Sequence, residues 1–261
     1  MFPRLISIGS FFLPTYGTLV ALGFLVGLFV TVLLARRAGL KPDPIVNLAI
    51  YAALTGLLGA KIAMLLFDFS TYWARPGEIF TRETLQAAGV YQGGLILGLI
   101  VATLYIRSQH LPWLTTFDVF APGLAVGHAI GRLGCLSAGC CWGIPAHVPW
   151  AITFRNPRAW QITGVPLGVP LHPTQLYEAL AEAVIFAVLL WRIRRPHAAG
   201  AIIGLYLILY SVSRFAIEFY RFHEQPTQLG LSLTQWMSIG LLLLGVRILL
   251  KRPVKPVPSR A

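Results

Sequence analysis

The sequence predicts an all-α membrane protein with about seven transmembrane helices, arranged as a single polytopic domain over residues 1–250. Two observations on composition support this: 56% of the 261 residues are hydrophobic and only 11% are charged. The third is that the apolar residues gather in segments of about 20 residues, the length that crosses the hydrocarbon core of a bilayer as a helix. This composition excludes a soluble globular domain.

Seven apolar segments are the predicted spans, and charged or proline-rich links separate them. They are 15–35, 45–67, 89–107, 117–133, 173–192, 200–220 and 231–250. The fourth segment is rich in glycine and is the weakest of the seven as an apolar span. Residues 1–13 contain no clear small-residue cleavage site, so we interpret them as a short flank that leads into the first span.

The basic residues predict the orientation of these spans. The links after the first, third, fifth and seventh segments contain eleven basic residues and one acidic residue, Asp43. Because cytoplasmic loops are enriched in lysine and arginine, the amino terminus is predicted outside and the carboxyl terminus in the cytoplasm, with 251–261 as a basic tail. The longest loop, about 134–171, then lies outside and is expected to be irregular. The net charge of +12 follows the same pattern, so no nucleic-acid partner is indicated.

A row of ionisable residues in the sixth segment is the clearest functional signal. Tyr210, Arg214, Glu218 and Arg221 follow one another at the spacing of one helical stripe. Placing a charge at the bilayer centre costs roughly 2.5–3.5 kcal/mol on insertion scales, so such residues normally face a partner, a wet cavity or a substrate. Two arginines around one glutamate leave a guanidinium for an anionic group such as phosphate. The alternative interpretation is a structural salt bridge plus an arginine that reaches the headgroups.

The predicted orientation brings other polar features to the same outer end of the bundle. They are Tyr16-Gly17, Gln92-Gly93-Gly94, the segment from Arg132 to Gly143, and the segment from His172 to Glu178. Polar groups that meet at one membrane depth predict a binding site.

Taken in order, these motifs resemble those of the bacterial prolipoprotein diacylglyceryl transferases, and the resemblance covers most of the chain. The motifs are Tyr16-Gly17, Gly93-Gly94-Leu95, Gly131-Arg132-Leu133-Gly134 with Gly143, His172-Pro173-Thr174-Gln175-Leu176-Tyr177-Glu178, Arg214-Phe215 with Glu218-Phe219 and Arg221, and Leu229-Gly230 with Leu233-Thr234-Gln235 and Ser238. The run that begins at His172 is the most specific of them.

The resemblance implies a multi-pass enzyme of the bacterial inner membrane, with seven spans and an active site that faces the periplasm. Such enzymes transfer the diacylglyceryl group of phosphatidylglycerol to the lipobox cysteine of preprolipoproteins, which forms a thioether and releases glycerol phosphate. The implied partners are therefore phosphatidylglycerol, membrane lipids and lipobox-containing preprolipoproteins. No cofactor and no metal are implied.

The candidate site residues follow from the motifs and from this chemistry. Fixed cations stabilise the charge that develops on a departing phosphate. The catalytic candidates are Arg132, Arg214, Glu218, Tyr210 and Gln92. The substrate-binding candidates are Tyr16, Gly93, Gly94, Gly143, His172, Gln175, Tyr177, Glu178 and Arg221. For the two site tyrosines, Tyr16 and Tyr210, an interfacial aromatic belt is the alternative.

The chain departs from the family pattern at three positions. Gln92 stands where the family usually has a histidine that is proposed as the catalytic base, and glutamine cannot take a proton at neutral pH. Cys135 replaces an asparagine and Cys140 replaces a glutamate. His172 is an alternative source of the missing base, but it is also suited to cap the fifth span or to bind a lipid headgroup.

The cysteines Cys135, Cys140 and Cys141 leave several interpretations open. They pack as small residues in a glycine-rich turn, they act as a reactive thiol, or Cys135 and Cys140 form a disulfide in an oxidising compartment. A metal site with His128 or His147 as fourth ligand matches no common zinc spacing, so no metal is expected. A covalent cysteine intermediate is unattractive, because its thioether would not readily pass the group on.

Two further functions remain alternatives to the transferase. The replaced residues favour a divergent homologue that acts on a different acceptor. A non-catalytic phospholipid-binding or transport protein is the other alternative, because the glycine-rich spans could bend as the helices of transporters do.

Overall fold

The protein is described by a computed structural model, which covers residues 4–8, 11–81, 84, 89–222, 227–251 and 256–257. Within these residues, most of the chain is helical. The helices are α1 Thr15–Arg37, α2 Pro42–Phe67, α3 Phe69–Ala74, α4 Tyr91–Ser108, α5 Trp113–Ala138, α6 Pro157–Thr163, α7 Thr174–Ile193, α8 Ala201–Glu218 and α9 Leu233–Leu250, with a 3₁₀ turn at Pro76–Phe80. The predicted tail 251–261 lies largely outside the described residues.

The strands are short and form three antiparallel pairs. They are β1 Arg4–Ile8 with β2 Phe11–Pro14, β3 Ile152–Thr153 with β4 Pro170–Leu171, and β5 His197–Ala198 with β6 Pro256–Val257. The first pair lies directly before α1, in the residues that the sequence predicted as a short flank.

Each of the seven predicted apolar segments overlaps one long helix. In the described part of the chain, five of these helices are long and apolar enough to cross a membrane, namely α1, α2, α5, α8 and α9. The glycine-rich fourth segment, the weakest prediction, is a helix of 26 residues that continues to Ala138. The multi-pass helical class is therefore confirmed, while the count of seven spans and the orientation stay predictions.

The long loop contains a few short ordered elements. Helix α5 ends four residues after position 134, and the segment that follows contains α6 and the β3–β4 pair. Phe154, Ala159, Val165 and Leu171 are buried together and form a small apolar core within this segment. Much of the loop between these elements has no helix or strand, as the sequence predicts, and this apolar core packs part of it.

The chain divides into two compact units. One contains residues 40–113, and the other contains residues 1–39 and 114–261. In the first unit, α2 and α4 pack closely through glycines. A Cβ atom on Gly59 would lie 2.5 Å from the carbonyl oxygen of Gly93, and one on Gly94 would lie 2.7 Å from that of Gly56. Small residues at such positions let membrane helices approach closely.

In the other unit, glycines bring α1 against α5. A Cβ atom on Gly23 would lie 2.7 Å from the carbonyl oxygen of Gly127, and one on Gly27 would lie 2.6 Å from that of Gly123. The glycines that weaken the fourth segment as a span are therefore the residues that pack it against α1. The opposite side of α5 contributes small residues, including Ala121 and Ala125, to an apolar core shared with α7 and α8.

Asp118 in α5 anchors the beginning of α8. Its carboxylate is buried and accepts hydrogen bonds from the backbone N–H groups of Gly200, Ile202 and Ile203, at 2.6, 3.0 and 2.8 Å. The first N–H groups of a helix have no partner within the helix, and a carboxylate is also favoured there by the helix dipole. This contact fixes the helix that carries Arg214 and Glu218.

Replacing Asp118 by alanine should destabilise the protein. Asp118→Ala leaves three buried N–H groups without an acceptor, and we expect the free energy of unfolding to fall by about 2–4 kcal/mol. Unfolding of the purified protein in detergent measures this change. Asp43, which is exposed in the first turn of α2, provides the matched control. Equal stability of Asp118→Ala and Asp43→Ala would contradict the proposed anchoring.

Candidate functional site

Three arginines converge on the carboxylate of Glu178, in the first turns of α7. Arg132, near the end of α5, forms an ion pair with Oε2. Arg221, just after α8, lies with its Nη1 3.1 Å from Oε1, and Nη1 of Arg214 lies 3.9 Å from the same oxygen. Glu178 is only 3% exposed. A carboxylate this buried is stabilised by the cations around it, and it holds them in turn.

Arg214 has a second carboxylate partner one turn further along α8. Its Nη1 lies 2.7 Å from Oε2 of Glu218. The other oxygen of Glu218 accepts a hydrogen bond of 2.9 Å from the hydroxyl of Ser232. Ser232 is the N-cap of α9 and exchanges hydrogen bonds with Gln235 in a capping box. The beginning of α9 therefore fixes the orientation of Glu218 and, through it, of Arg214.

Arg132 is oriented by a histidine and a second glutamate. Its Nε donates a hydrogen bond of 3.1 Å to Nε2 of His128. Because an arginine Nε can only donate, we assign Nε2 as the acceptor and place the ring proton on Nδ1, which lies 2.8 Å from Oε1 of Glu182. Both ring nitrogens of His128 are engaged.

His128 and Glu182 were not predicted from the sequence as parts of this network. His128 lies four residues before Arg132 on α5, and Glu182 lies four residues after Glu178 on α7. Residues four apart share one helix face. The sequence therefore indicated that His128 shares a helix face with Arg132, and Glu182 with Glu178. It could not indicate that the two pairs meet, because that depends on how α5 and α7 pack.

The network leaves two guanidinium groups partly open. The side chains of Arg132 and Arg221 are 14% and 18% exposed, whereas that of Arg214 is 9% exposed. An arginine has five N–H donors in a planar fork, and the contacts with Glu178 use only some of them. Arg132 and Arg221 can therefore bind a further anion, while Arg214 supports them with its charge.

The first turn of α7 also fixes the segment that follows α5. The Thr174 hydroxyl donates to the carbonyl oxygen of Cys141 at 2.7 Å, and the Gln175 amide donates to that of Cys140 at 2.6 Å. Gly143 lies between His172 and the chain after α8, where a Cβ atom would lie 2.5 Å from the carbonyl oxygen of Tyr220. Gln175 and Gly143 therefore have positioning and packing contacts, and their contact with substrate stays a prediction.

Three cysteines lie together beside this network. The Sγ atoms of Cys135, Cys140 and Cys141 are all within 4.8 Å of one another, and the cysteines are half-buried with free thiols. Hydrogen bonds from Cys135 and Cys140 hold the pKa of the Cys141 thiol below its ordinary value, and the guanidinium groups of Arg221 and Arg132 lower it further. Neither His128 nor His147, the two histidines considered as a fourth ligand, belongs to this group of side chains.

The predicted tyrosines lie close to the same region. Tyr16, at the beginning of α1, contacts Gly134, where a Cβ atom would lie 3.3 Å from the Tyr16 carbonyl oxygen. The ring of Tyr210 lies 5.9 Å from that of His128 and stacks on Tyr206 at 5.8 Å. Both tyrosines are therefore near the arginine network, and their roles in binding or catalysis stay predictions.

His172 and Tyr177 form a separate aromatic group. Nδ1 of His172 lies 3.0 Å from the Tyr177 hydroxyl, which also accepts a hydrogen bond of 2.7 Å from Trp150. The His172 ring packs edge-on against Tyr220 at 5.0 Å. These contacts hold the loop against α7, and they give His172 partners other than the arginines.

The remaining candidates, Gln92, Gly93 and Gly94, lie in the first turn of α4, in the unit of residues 40–113. Gln92 is exposed, and the two glycines are the packing positions against α2 described above. Close helix packing is therefore a sufficient reason for the glycine pair within its own unit, and the site roles of all three residues stay predictions.

The fold and the buried arginine–glutamate network together define a multi-pass helical membrane protein with a polar site inside one of its units. The chain belongs to the prolipoprotein diacylglyceryl transferase family, whose model matches residues 3–251. The family that the motifs indicated is therefore confirmed, and so is the class of enzyme, a transferase.

Individual relatives are similar over most of their length. The phosphatidylglycerol–prolipoprotein diacylglyceryl transferase of Bordetella parapertussis is 34% identical over 261 residues, which cover 95% of this chain and 94% of the relative. The enzyme of the same name from Clostridium tetani is 32% identical over 232 residues, with 88% and 90% covered. That from Idiomarina loihiensis is 37% identical over 213 residues, with 78% and 74% covered.

Removing the central carboxylate should destabilise the protein strongly. Glu178→Ala leaves buried guanidinium groups without a counter-charge, and we expect the free energy of unfolding to fall by about 3–5 kcal/mol. The matched control is Glu78→Ala, which breaks the exposed Arg75–Glu78 pair and should cost about 1 kcal/mol or less. Denaturant unfolding in detergent compares the two variants. Similar losses would show that Glu178 does not hold the arginines.

Proposed function

We propose that this protein transfers the diacylglyceryl group of phosphatidylglycerol to the lipobox cysteine thiol of prolipoproteins. Family membership and the matching names of its relatives support the reaction. The single observation that carries the proposal is the convergence of Arg132, Arg214 and Arg221 on Glu178. We further propose that the protein spans the bacterial inner membrane seven times, with its amino terminus outside and this site facing the periplasm.

The open arginines suit the leaving group of this reaction. The acceptor sulfur attacks a glycerol carbon of the lipid and forms a carbon–sulfur bond, while the bond from that carbon to the phosphate oxygen breaks. The phosphate takes the electron pair and gains negative charge as glycerol phosphate departs. N–H donors of Arg132 and Arg221, fixed in advance by Glu178, stabilise this charge more strongly in the transition state than in the bound lipid.

The other charged residues position these donors. Glu178 holds Arg132 and Arg221 through opposite oxygens, so it determines their separation. His128 and Glu182 fix the plane of the Arg132 guanidinium. Arg214, with Glu218 and Ser232 behind it, supplies positive charge from the buried side of Glu178. Of the aromatic candidates, we propose the hydroxyl groups of Tyr210 and Tyr16 as donors to the glycerol or phosphate oxygens.

The acceptor thiol needs a separate means of activation. A free cysteine has a pKa near 8.5, and the thiolate is the nucleophile. Gln92 cannot accept the proton. His128 has both ring nitrogens engaged, and His172 is hydrogen-bonded to Tyr177. We therefore do not assign a side-chain base to the reaction.

Loss of the Arg132 guanidinium should slow the transfer. We expect Arg132→Ala to lower the rate about 10²–10³-fold, the usual cost of removing one fixed donor to a developing anion. Membranes that carry the protein are supplied with phosphatidylglycerol labelled in its acyl chains and with a lipobox peptide, and label on the peptide cysteine is measured. Arg75→Ala, at a side chain that is 74% exposed, is the control and should leave the rate unchanged. An unchanged rate in Arg132→Ala would remove Arg132 from the mechanism.

The same assay separates the two alternative functions. Label transferred to an acceptor other than the lipobox peptide would identify a divergent homologue, as the replacements at Gln92, Cys135 and Cys140 suggest. Phosphatidylglycerol that binds but never turns over would identify a non-catalytic lipid-binding protein. Either result would overturn the proposed reaction while leaving the arginines as the lipid-binding site.

A further inference from the structure

The thiols of Cys135, Cys140 and Cys141 form a cluster that has no role in the proposed reaction. We propose that Cys135, Cys140 and Cys141 bind a zinc ion, and that the open fourth position of this ion takes the thiol of the acceptor protein. The first half of the proposal concerns the cysteines alone. The second half rests on the proposed function, because it assumes that the substrate is a thiol.

The geometry of the sulfur atoms fits a metal ion. All three Sγ atoms lie within 4.8 Å of one another. Zinc–sulfur bonds of about 2.3 Å in a tetrahedral site place the sulfurs roughly 3.8 Å apart, so a small adjustment of the side chains is sufficient. Three protein ligands and one open position are the arrangement of catalytic zinc sites, whereas structural sites use all four positions.

The backbone around the cysteines is fixed independently of any metal. Cys135 lies in the last turn of α5, and the turn after the helix brings Cys140 and Cys141 back towards it. Thr174 and Gln175 hold the carbonyl oxygens of Cys141 and Cys140. Cys141 has a φ of 60°, in the left-handed region that a residue other than glycine seldom adopts. In this conformation its Sγ lies beside those of Cys135 and Cys140. A site with little freedom loses little entropy on binding an ion.

The surroundings also favour thiolate ligands. Three thiolates and one Zn²⁺ have a net charge of −1, and a bound substrate thiolate adds another negative charge. The positive charge of Arg221 lies close by, because its backbone pairs with that of Gly143, two residues after Cys141. Arg132 and Cys135 are three residues apart on one face of α5, so the metal would lie next to the arginine network. The cysteines are half-buried, so these residues are not sealed off from the surface.

A zinc ion would supply the activation for which no side-chain base is assigned. A thiol that coordinates zinc is deprotonated, and its proton passes to water. The sulfur then uses a lone pair to form the bond to the glycerol carbon, and the carbon–oxygen bond to phosphate breaks with its electron pair on oxygen. No group is oxidised or reduced. The thioether product is no longer a thiolate, so it is a weaker ligand and leaves the metal.

Metal analysis tests the first half. The full-length protein is purified in detergent without chelators, dialysed against a low concentration of Zn²⁺, and analysed by mass spectrometry for metal content. We expect about one zinc per chain, and at least a fivefold loss in Cys135→Ser, Cys140→Ser and Cys141→Ser. Ser137→Ala, in the same last turn of α5, is the matched control and should retain the metal. A wild-type protein without zinc, or serine variants that keep it, would overturn the proposal.

Cobalt spectroscopy tests the second half. Co²⁺ in place of zinc gives visible absorption that depends on the number of sulfur ligands. We expect a lipobox peptide to change this spectrum and the same peptide with serine in place of cysteine to leave it unchanged. A spectrum that does not respond to the cysteine peptide would show that the acceptor thiol does not reach the metal.

The transfer assay separates this proposal from the proposed function. The triple serine variant at positions 135, 140 and 141 should bind phosphatidylglycerol as the wild type does and should lose at least 10²-fold in transfer rate. Wild-type transfer in that variant would overturn the second half of the proposal, the role of the metal in the reaction, and leave the transferase function intact. Zinc binding by a wild-type protein that modifies no lipobox peptide would overturn the function and leave the metal site intact.

Discussion

The carboxylate of Glu178 is the contact on which the rest of the site depends. It lies almost without exposure between Arg132 and Arg221, with Arg214 on the side of Oε1. Burying any one of these charges without a partner would cost free energy, because the charge loses its hydration. Here the opposite charges that surround it offset that cost. The same arrangement fixes two guanidinium groups in advance of the anion that we propose they bind. An anion then meets donors that need little reorganisation, which is the physical basis of electrostatic catalysis.

This arrangement requires helix ends to approach one another closely, and small residues make that possible. Glycines on α1 and α5 let the two backbones come into contact. The absence of a side chain at Gly143 lets His172 and the backbone of Tyr220 approach it closely. Asp118 then fixes the beginning of α8, whose last turns carry Arg214 and Glu218. The first turns of α7 contribute both Glu178 and the residues that hold the cysteine segment. The beginning of α7 therefore contacts both the arginines, through Glu178, and the segment that carries the thiols.

The departures from the family pattern are Gln92 in α4, and Cys135 and Cys140 at and after the end of α5. The residues that would receive phosphate are those of the family, whereas Gln92, Cys135 and Cys140 are not. Replacing an asparagine and a glutamate by cysteines, next to a third cysteine, removes hydrogen-bonding groups and introduces metal ligands. We would expect this pattern, with the arginines kept and Gln92, Cys135 and Cys140 replaced, in a chain that binds the same lipid but forms the acceptor thiolate in a different way. The proposed zinc site gives a physical account of the two cysteine replacements, and zinc would make a histidine base at position 92 unnecessary.

The sequence by itself determined the helices and the identity of the charged residues. Each apolar segment falls on a helix because the length and hydropathy of a segment are local properties, and the specific motifs indicated the family. The tertiary structure decided which residues meet. His128 pairs with Glu182 across 54 positions and Asp118 reaches Gly200 across 82, and no local pattern specifies such contacts. The three cysteines matched no zinc spacing, yet the turn after α5 brings their sulfurs together. Proximity between distant residues follows from how helices pack and how a turn reverses the chain, and these depend on the whole fold at once.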